Sequence, residues 1–514
     1  MGCRFQRALP LLVLGLLAGC GGGGGGGIGG PGAPPPSNDG TYRPGVFQPS
    51  SSFANQCAAP RAGTSDRSGS AFTENMFLRS WTNELYLWYS EVPDRNPNGV
   101  STANYFEALK TPATTASGRA KDQFHFTYPT AVWDQLSQSG VEVGYGVQWI
   151  VLAGAPPRKV VVAYVEPGTP AATASLGRGA EVLMADGVDV VNATGSNVPD
   201  QLYAALYPSA AGQTHTFQIR ETSGAVRNLS MRSVEVTHQP VLVSSTLDQS
   251  GVRVGYLLFN DHIATAESQL VNAINRFRTD GIQDLILDLR YNGGGFLDIA
   301  NELAYMIGGN NTRGQVFERL VFNDKHPTTN PITGQALAPT LFHTTARSGT
   351  PLPTLNLNRV YVITSNNTCS ASESIINSLR GVGVQVYQIG STTCGKPYGF
   401  YPQGNCGTTY FSIQFEGRNA QGFGNYPDGF SPGVADSGSV VKGCSVADDF
   451  TRALGDPLEA RLSAALGFRA SNNMVCPAPT GFSPGGGFSA KTTLGSTEGE
   501  MYKSPARTNR VLSE

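Results

Sequence analysis

Ser370 and Lys396 are the two side chains whose setting in the sequence suggests catalysis. Ser370 opens SASESIINSL, an apolar run at helical spacing, and Lys396 closes STTCGK. A serine hydroxyl attacks poorly until a base removes its proton, and a desolvated neutral lysine is one of the few groups able to do so. The pair therefore points to nucleophilic catalysis by a Ser/Lys dyad. Each residue also has an ordinary reading. Ser370 and Glu373 stand in the S-x-x-E pattern of a capping box, and a lone lysine is usually a solvated surface group.

The elements that must position this pair are readable around it. Residues 360–400 predict a strand, a sharp polar turn, a helix, a second strand and a glycine loop. Upstream, GVRVGYLLFN reads as a strand, ESQLVNAINRFRTDG as an amphipathic helix, QDLILDLRYNGGG as a buried strand entering a triglycine loop, and FLDIANELAYMIGG as a helix. Strands alternating with helices predict an α/β layer. Loops that follow strands in such layers commonly carry the site, so LDLRYNGGG and SNNTCSASE are expected to meet. Residues 309–357 read as loops and a hairpin, TTYFSIQF as a strand, and DPLEARLSAALGF as a closing helix.

Formal net charge is −2, and no run of lysine and arginine stands out. That excludes a nucleic-acid binder relying on clustered positive charge. Residues 1–19 carry two arginines and a short apolar run, suited to a signal peptide and too short to span a bilayer. LAGC, ending at Cys20, resembles the lipobox of bacterial lipoproteins, which implies lipidation of Cys20. Residues 20–60 are then expected to form a flexible Gly/Pro/Ser tether. Residues 61–140 read as a small helical domain, with Phe77, Trp81, Leu85 and Trp88 at helical spacing. At 141–235 the period becomes strand-like, and EPGTPAATASLGRGAEVLMADGVDV resembles a PDZ domain, with Ala180-Glu181 where Gly-Asp is usual. The resemblance implies that Tyr145, Gly146 and Val147 form the loop that receives a peptide carboxylate. Residues 236–470 make the catalytic core, and 471–514 read as a disordered tail.

Taken together, Asp288-Leu289-Arg290-Tyr291-Asn292-Gly293-Gly294-Gly295, Ser370-Ala371-Ser372-Glu373 and Thr393-Cys394-Gly395-Lys396 resemble the C-terminal processing (tail-specific) family of serine proteases. The resemblance implies an α/β (α+β) multidomain fold: a small N-terminal helical domain, a PDZ domain and a crotonase-like α/β protease core. It makes Ser370 the nucleophile and Lys396 its base. The N–H groups of Ala371 and of a triglycine residue, chosen as Gly294, would form the oxyanion hole. A helix N-terminus and a side-chain-free loop suit those roles. Asp288 and Arg290 are expected to brace the glycine loop. The sequence departs from the family after the lysine: Pro397 replaces a glycine, and Phe400 stands where a lysine-orienting glutamine is usual, with Gln403 out of register. A Ser-His-Asp arrangement would have to use His262, which follows a core strand.

Export leaves Cys57, Cys369, Cys394, Cys406, Cys444 and Cys476 for disulfides. A Cys394–Cys406 bridge closing a short loop is favoured; its rival, Cys369–Cys394, would staple nucleophile to base. No cysteine pair has C-x-x-C spacing, so no metal is expected, and the dyad chemistry requires no cofactor. The expected protein is an endopeptidase facing the periplasm from the outer membrane, acting on proteins or peptides with accessible C-termini. The alternatives are a non-catalytic PDZ lipoprotein scaffold and, against the PDZ segment, a crotonase-like enzyme acting on small acyl substrates.

Overall fold

The computed structural model describes residues 41–478, 500–501 and 510–511; Cys20, the signal segment and most of the expected tether lie outside them. A seven-stranded sheet forms the centre, in the order Val241–Gln249, Val252–Phe259, Asp284–Asp288, Arg359–Thr364, Gln385–Gly390, Val440–Ser445 and Ser431–Gly433. The first pair is antiparallel and the remaining pairs are parallel. Side chains alternate across a strand, so each central strand serves two cores. Leu257, Leu285, Leu287, Val360 and Val362 face the helices Ala266–Asp280, Leu297–Gly308 and Ala371–Gly381. Tyr256, Leu258, Ile286, Tyr361 and Ile363 face Leu462, Leu466 and Phe468 of the helix Ala460–Ala470. Both sides of Asp284–Asp288 are therefore covered, and all five of its residues are buried. The fold is α/β, as expected.

The PDZ-like part is a sheet in the order Val226–Arg232, Thr214–Arg220, Glu181–Ala185, Lys159–Val165 and Val147–Ala153, with the helix Val198–Leu206 against it. Its lower boundary closes where Val141–Gly144 pairs with Val234–Thr237.

Three boundaries differ from expectation. The folded chain begins well before residue 61: Phe53 and Cys57 are buried, and Cys57 is bonded to Cys406. The N-terminal part is not an independent domain. Its helix Ala71–Leu85 is present, but Phe126–Pro129 joins the sheet of Thr408–Phe411, and Leu87 donates to the Ile413 carbonyl. The described residues of the expected tail are tied to the body. Cys476 is bonded to Cys444, Tyr361 donates to Asn473, and two short strands, Glu500–Met501 and Arg510–Val511, pair with the body. Hydrophilic composition missed these contacts because pairing through backbone groups does not depend on apolar side chains.

Candidate active site

After Arg359–Thr364 the chain turns through buried polar residues to Ser370, the N-cap of Ala371–Gly381. The turn is stitched to the neighbouring DLRYNGGG loop. Ser365 Oγ donates to the Arg290 carbonyl, Thr368 Oγ1 to that of Leu289 at 2.8 Å, and the Cys369 N–H to that of Asn292 at 3.0 Å. The two loops meet as the strand order implied. Ser370 adopts φ 59°, ψ −114°, a conformation that costs a residue with a side chain roughly 1–3 kcal/mol. Its hydroxyl is fully buried and makes no hydrogen bond. A capping serine would use that oxygen on the first turn of its helix. Glu373 does reach back to the Ser370 N–H at 2.9 Å, but capping leaves the serine hydroxyl itself unexplained.

Glu373 also joins serine to lysine. Its Oε2 accepts the Ser370 N–H at 2.9 Å and the Lys396 N–H at 2.8 Å; its Oε1 accepts the Gly395 N–H at 2.9 Å and Thr393 Oγ1 at 2.5 Å. Burial pushes this carboxyl above its ordinary range while the four donors pull it back. A second fastener lies alongside. Cys369 and Cys394 form a disulfide, and Cys406 pairs with Cys57, so the favoured Cys394–Cys406 loop does not form. The physical reason is tertiary: the hairpin carrying Cys406 lies against the N-terminal segment, with Asn55 donating to the Asn405 side chain.

Lys396 is completely buried, its Nζ 4.5 Å from the ring centroid of Phe124 and 4.2 Å from that of Phe400. An aromatic ring thus fills the position where the family's glutamine was expected. Gln403 is directed elsewhere, its amide donating to the exposed Gly404 carbonyl. Phe124 and Arg119, which donates to the carbonyls of Cys394 at 2.7 Å and Pro427 at 3.0 Å, come from the N-terminal part. Sequence reasoning missed both because no local motif marks a residue that reaches the site through packing alone.

The proposed oxyanion donors fare differently. Ala371 occupies the first helical position, where N–H groups lack intrahelical acceptors. Gly294 does not offer its N–H: Asn292 Oδ1 accepts it at 3.0 Å in a side-chain turn. The same oxygen lies 2.9 Å from His262 Nδ1, so His262 is tied to the amide that holds the glycine loop. Gly295 requires glycine, since at φ 131° a Cβ would stand 2.3 Å from the His262 carbonyl oxygen.

Arg290 braces the loop as expected, fully buried and bonded to Asp288, Asp448 and Glu459. Burial pushes the Asp448 carboxyl up, but Arg178 and Arg290 together hold it far below the usual range. Arg178 belongs to the PDZ-like part and also donates to the Tyr291 hydroxyl at 2.6 Å, while Tyr164 stacks on Tyr291 at 5.9 Å. The strand following Tyr145, Gly146 and Val147 is therefore carried on the same body as the glycine loop. Tyr145 is buried with its hydroxyl on the Ala205 carbonyl, and Gly146 has φ 73° where a Cβ would meet Thr169 at 2.3 Å. Among the described residues, the sets of closely spaced metal-ligating atoms are Cys57, Glu74, Cys406 and Cys369, Glu373, Cys394. Each contains a disulfide rather than the thiolates a metal takes.

Residues 253–399 match the model of peptidase family S41. A carboxyl-terminal-processing protease of Picosynechococcus sp. is 24% identical over 266 residues, 51% of this chain and 56% of that protein. A chloroplastic carboxyl-terminal-processing peptidase 3 of Arabidopsis thaliana is 24% identical over 248 residues, 46% of this chain and 42% of that protein. The chain thus spans about half the length of these relatives. A Bacteroides fragilis crystal structure assigned to the S41 proteases shares the fold, with TM-score 0.58 and 23% identity, covering 77% of this chain and 97% of that one. The serine loop, its lysine loop and the glycine loop thus lie within the stretch, residues 253–399, that matches the model of peptidase family S41.

Proposed function

We propose that the protein is a serine endopeptidase acting through Ser370 and Lys396. The observation that carries this reading is the buried, unpartnered Ser370 hydroxyl on a loop that Glu373 and the Cys369–Cys394 bridge fasten to the loop of Lys396. Ser370 Oγ bonds to the scissile carbonyl carbon as its proton passes to Lys396 Nζ. The displaced electron pair moves onto the carbonyl oxygen, beside the Ala371 N–H. Collapse of that intermediate breaks the C–N bond, and Lys396 returns the proton to the departing amine. Water then attacks the ester by the same route and frees Ser370. Complete burial of Lys396 supports its role, because it keeps the amine inside the site with the buried Ser370 hydroxyl rather than in solvent.

Substrates are proteins or peptides with accessible C-termini, held as an added strand along Val147–Ala153 with the carboxylate at Tyr145, Gly146 and Val147. Lipidation of Cys20 would place the enzyme on the outer membrane facing the periplasm; Cys20→Ala should move it from the membrane to the soluble fraction. The central test uses unfolded protein substrates with the wild type, Ser370→Ala and Lys396→Ala. Both variants should lose about 1,000-fold or more in kcat/KM. Equal cleavage by all three would refute the site, and tail binding without cleavage by any would make the protein a scaffold.

A further inference from the structure

Two segments near the end of the described chain lie on the surfaces a substrate would use. Glu500–Met501 pairs antiparallel with Val147–Ala153, Glu500 opposite Val151 and Met501 opposite Ile150. That strand is otherwise the edge of the PDZ-like sheet, with open backbone donors and acceptors. The pairing runs toward Tyr145, Gly146 and Val147, the direction of an added peptide strand. The Met501 N–H donates to Asn367 Oδ1 at 3.1 Å, on the loop leading to Ser370, and the Met501 side chain packs with Ile150 and Tyr291. Further on, Arg510–Val511 pairs in parallel with Gly295–Phe296, the strand that leaves the triglycine loop. Glu500–Met501 thus touches the peptide-docking strand and the nucleophile loop, and Arg510–Val511 the strand leaving the glycine loop.

We propose that Glu500–Met501, together with Arg510–Val511, is a built-in occupant of the peptide site, competing in cis with any extended peptide that arrives from solution. The proposal rests on the reading of Val147–Ala153 and the glycine loop as substrate surfaces, but it concerns occupancy rather than chemistry. A tethered ligand acts at an effective concentration on the order of 1 mM. If its intrinsic dissociation constant is about 10 μM, it weakens a competing peptide about 100-fold.

The test is binding to the full chain in a Ser370→Ala background, which removes turnover. The probe is a fluorescein-labelled synthetic peptide of residues 496–514. Met501→Pro removes the N–H given to Asn367 and with it the hydrogen bond that ties the added strand to the nucleophile loop. It should bind the probe about 100-fold more tightly than the Met501 parent, and residues 147–153 and 295–296 should exchange amide hydrogens faster in its free form. A second form guards against misfolding: a site-specific protease sequence inserted after Gly487 allows the tail to be cut from the folded protein and dialysed away. The cut form should gain the same probe binding. Unchanged affinity and unchanged exchange in both forms would overturn self-occupancy. Because neither readout requires cleavage, they separate this failure from the failure of Ser370 and Lys396 as catalysts.

Discussion

Replacing Glu373 tests whether one buried carboxylate holds nucleophile and base together. It receives four donors: the N–H groups of Ser370, Lys396 and Gly395, and the hydroxyl of Thr393. Glu373→Gln keeps one acceptor oxygen and replaces the other with a donor. The arrangement of least cost leaves the amide oxygen with Ser370 and Lys396 and turns the new NH2 toward Gly395 and Thr393. Thr393 adapts, because a hydroxyl accepts as well as donates, although its oxygen already takes the Phe430 N–H at 2.7 Å. Gly395 is then the one orphaned donor, at about 1–3 kcal/mol. Glu373→Ala orphans all four, and even with partial relaxation should cost about 4–8 kcal/mol. Urea unfolding measures both costs. In the Gln variant, kcat should fall about tenfold with KM nearly unchanged, since both loops keep their shared anchor. The reasoning fails if Gln and Ala are equally destabilising, or if the Ala variant folds normally with full activity.

Three further outcomes are expected. Removing Cys369–Cys394 or Cys444–Cys476 as Ala pairs opens loops of 25 and 32 residues, costing ~3.5 and ~3.7 kcal/mol by chain entropy. Only the first should lower kcat, by about tenfold; an equal loss in both would show that the bridge beside Ser370 acts through stability alone. Burial, with Glu267 nearby, pushes the Glu302 carboxyl up to about 8, so its contribution to stability is present below the usual carboxylate range and lost as pH rises through about 8. Glu302→Gln should remove that loss, on the order of 3 kcal/mol after partial solvent screening, and identical melting curves for both proteins from about pH 5 to about pH 9 would contradict it. Gly146→Ala forces a Cβ against Thr169 at positive φ, costing about 1–3 kcal/mol and weakening tail-peptide binding in calorimetry; normal binding would remove Gly146 from the proposed carboxylate loop.

Local sequence determined the parts whose signals are local. The alternation of Leu285, Ile286 and Leu287 across a strand, the turn into Ser370, the glycines at 293–295 and the arginine brace at 290 follow from side-chain period, turn chemistry and charge pairing. Those features placed the strands and the two loops that meet at the site. Tertiary structure decided what distant segments deliver. Phe124 and Arg119 reach the lysine loop, Cys57 takes Cys406, Asn292 takes the Gly294 N–H, and Glu500–Met501 and Arg510–Val511 each pair with a strand of the body. None of these has a short-range signature. A disulfide partner, an aromatic wall and a backbone pairing are selected by which surfaces packing brings into contact, and the residues involved look ordinary in the segments that carry them.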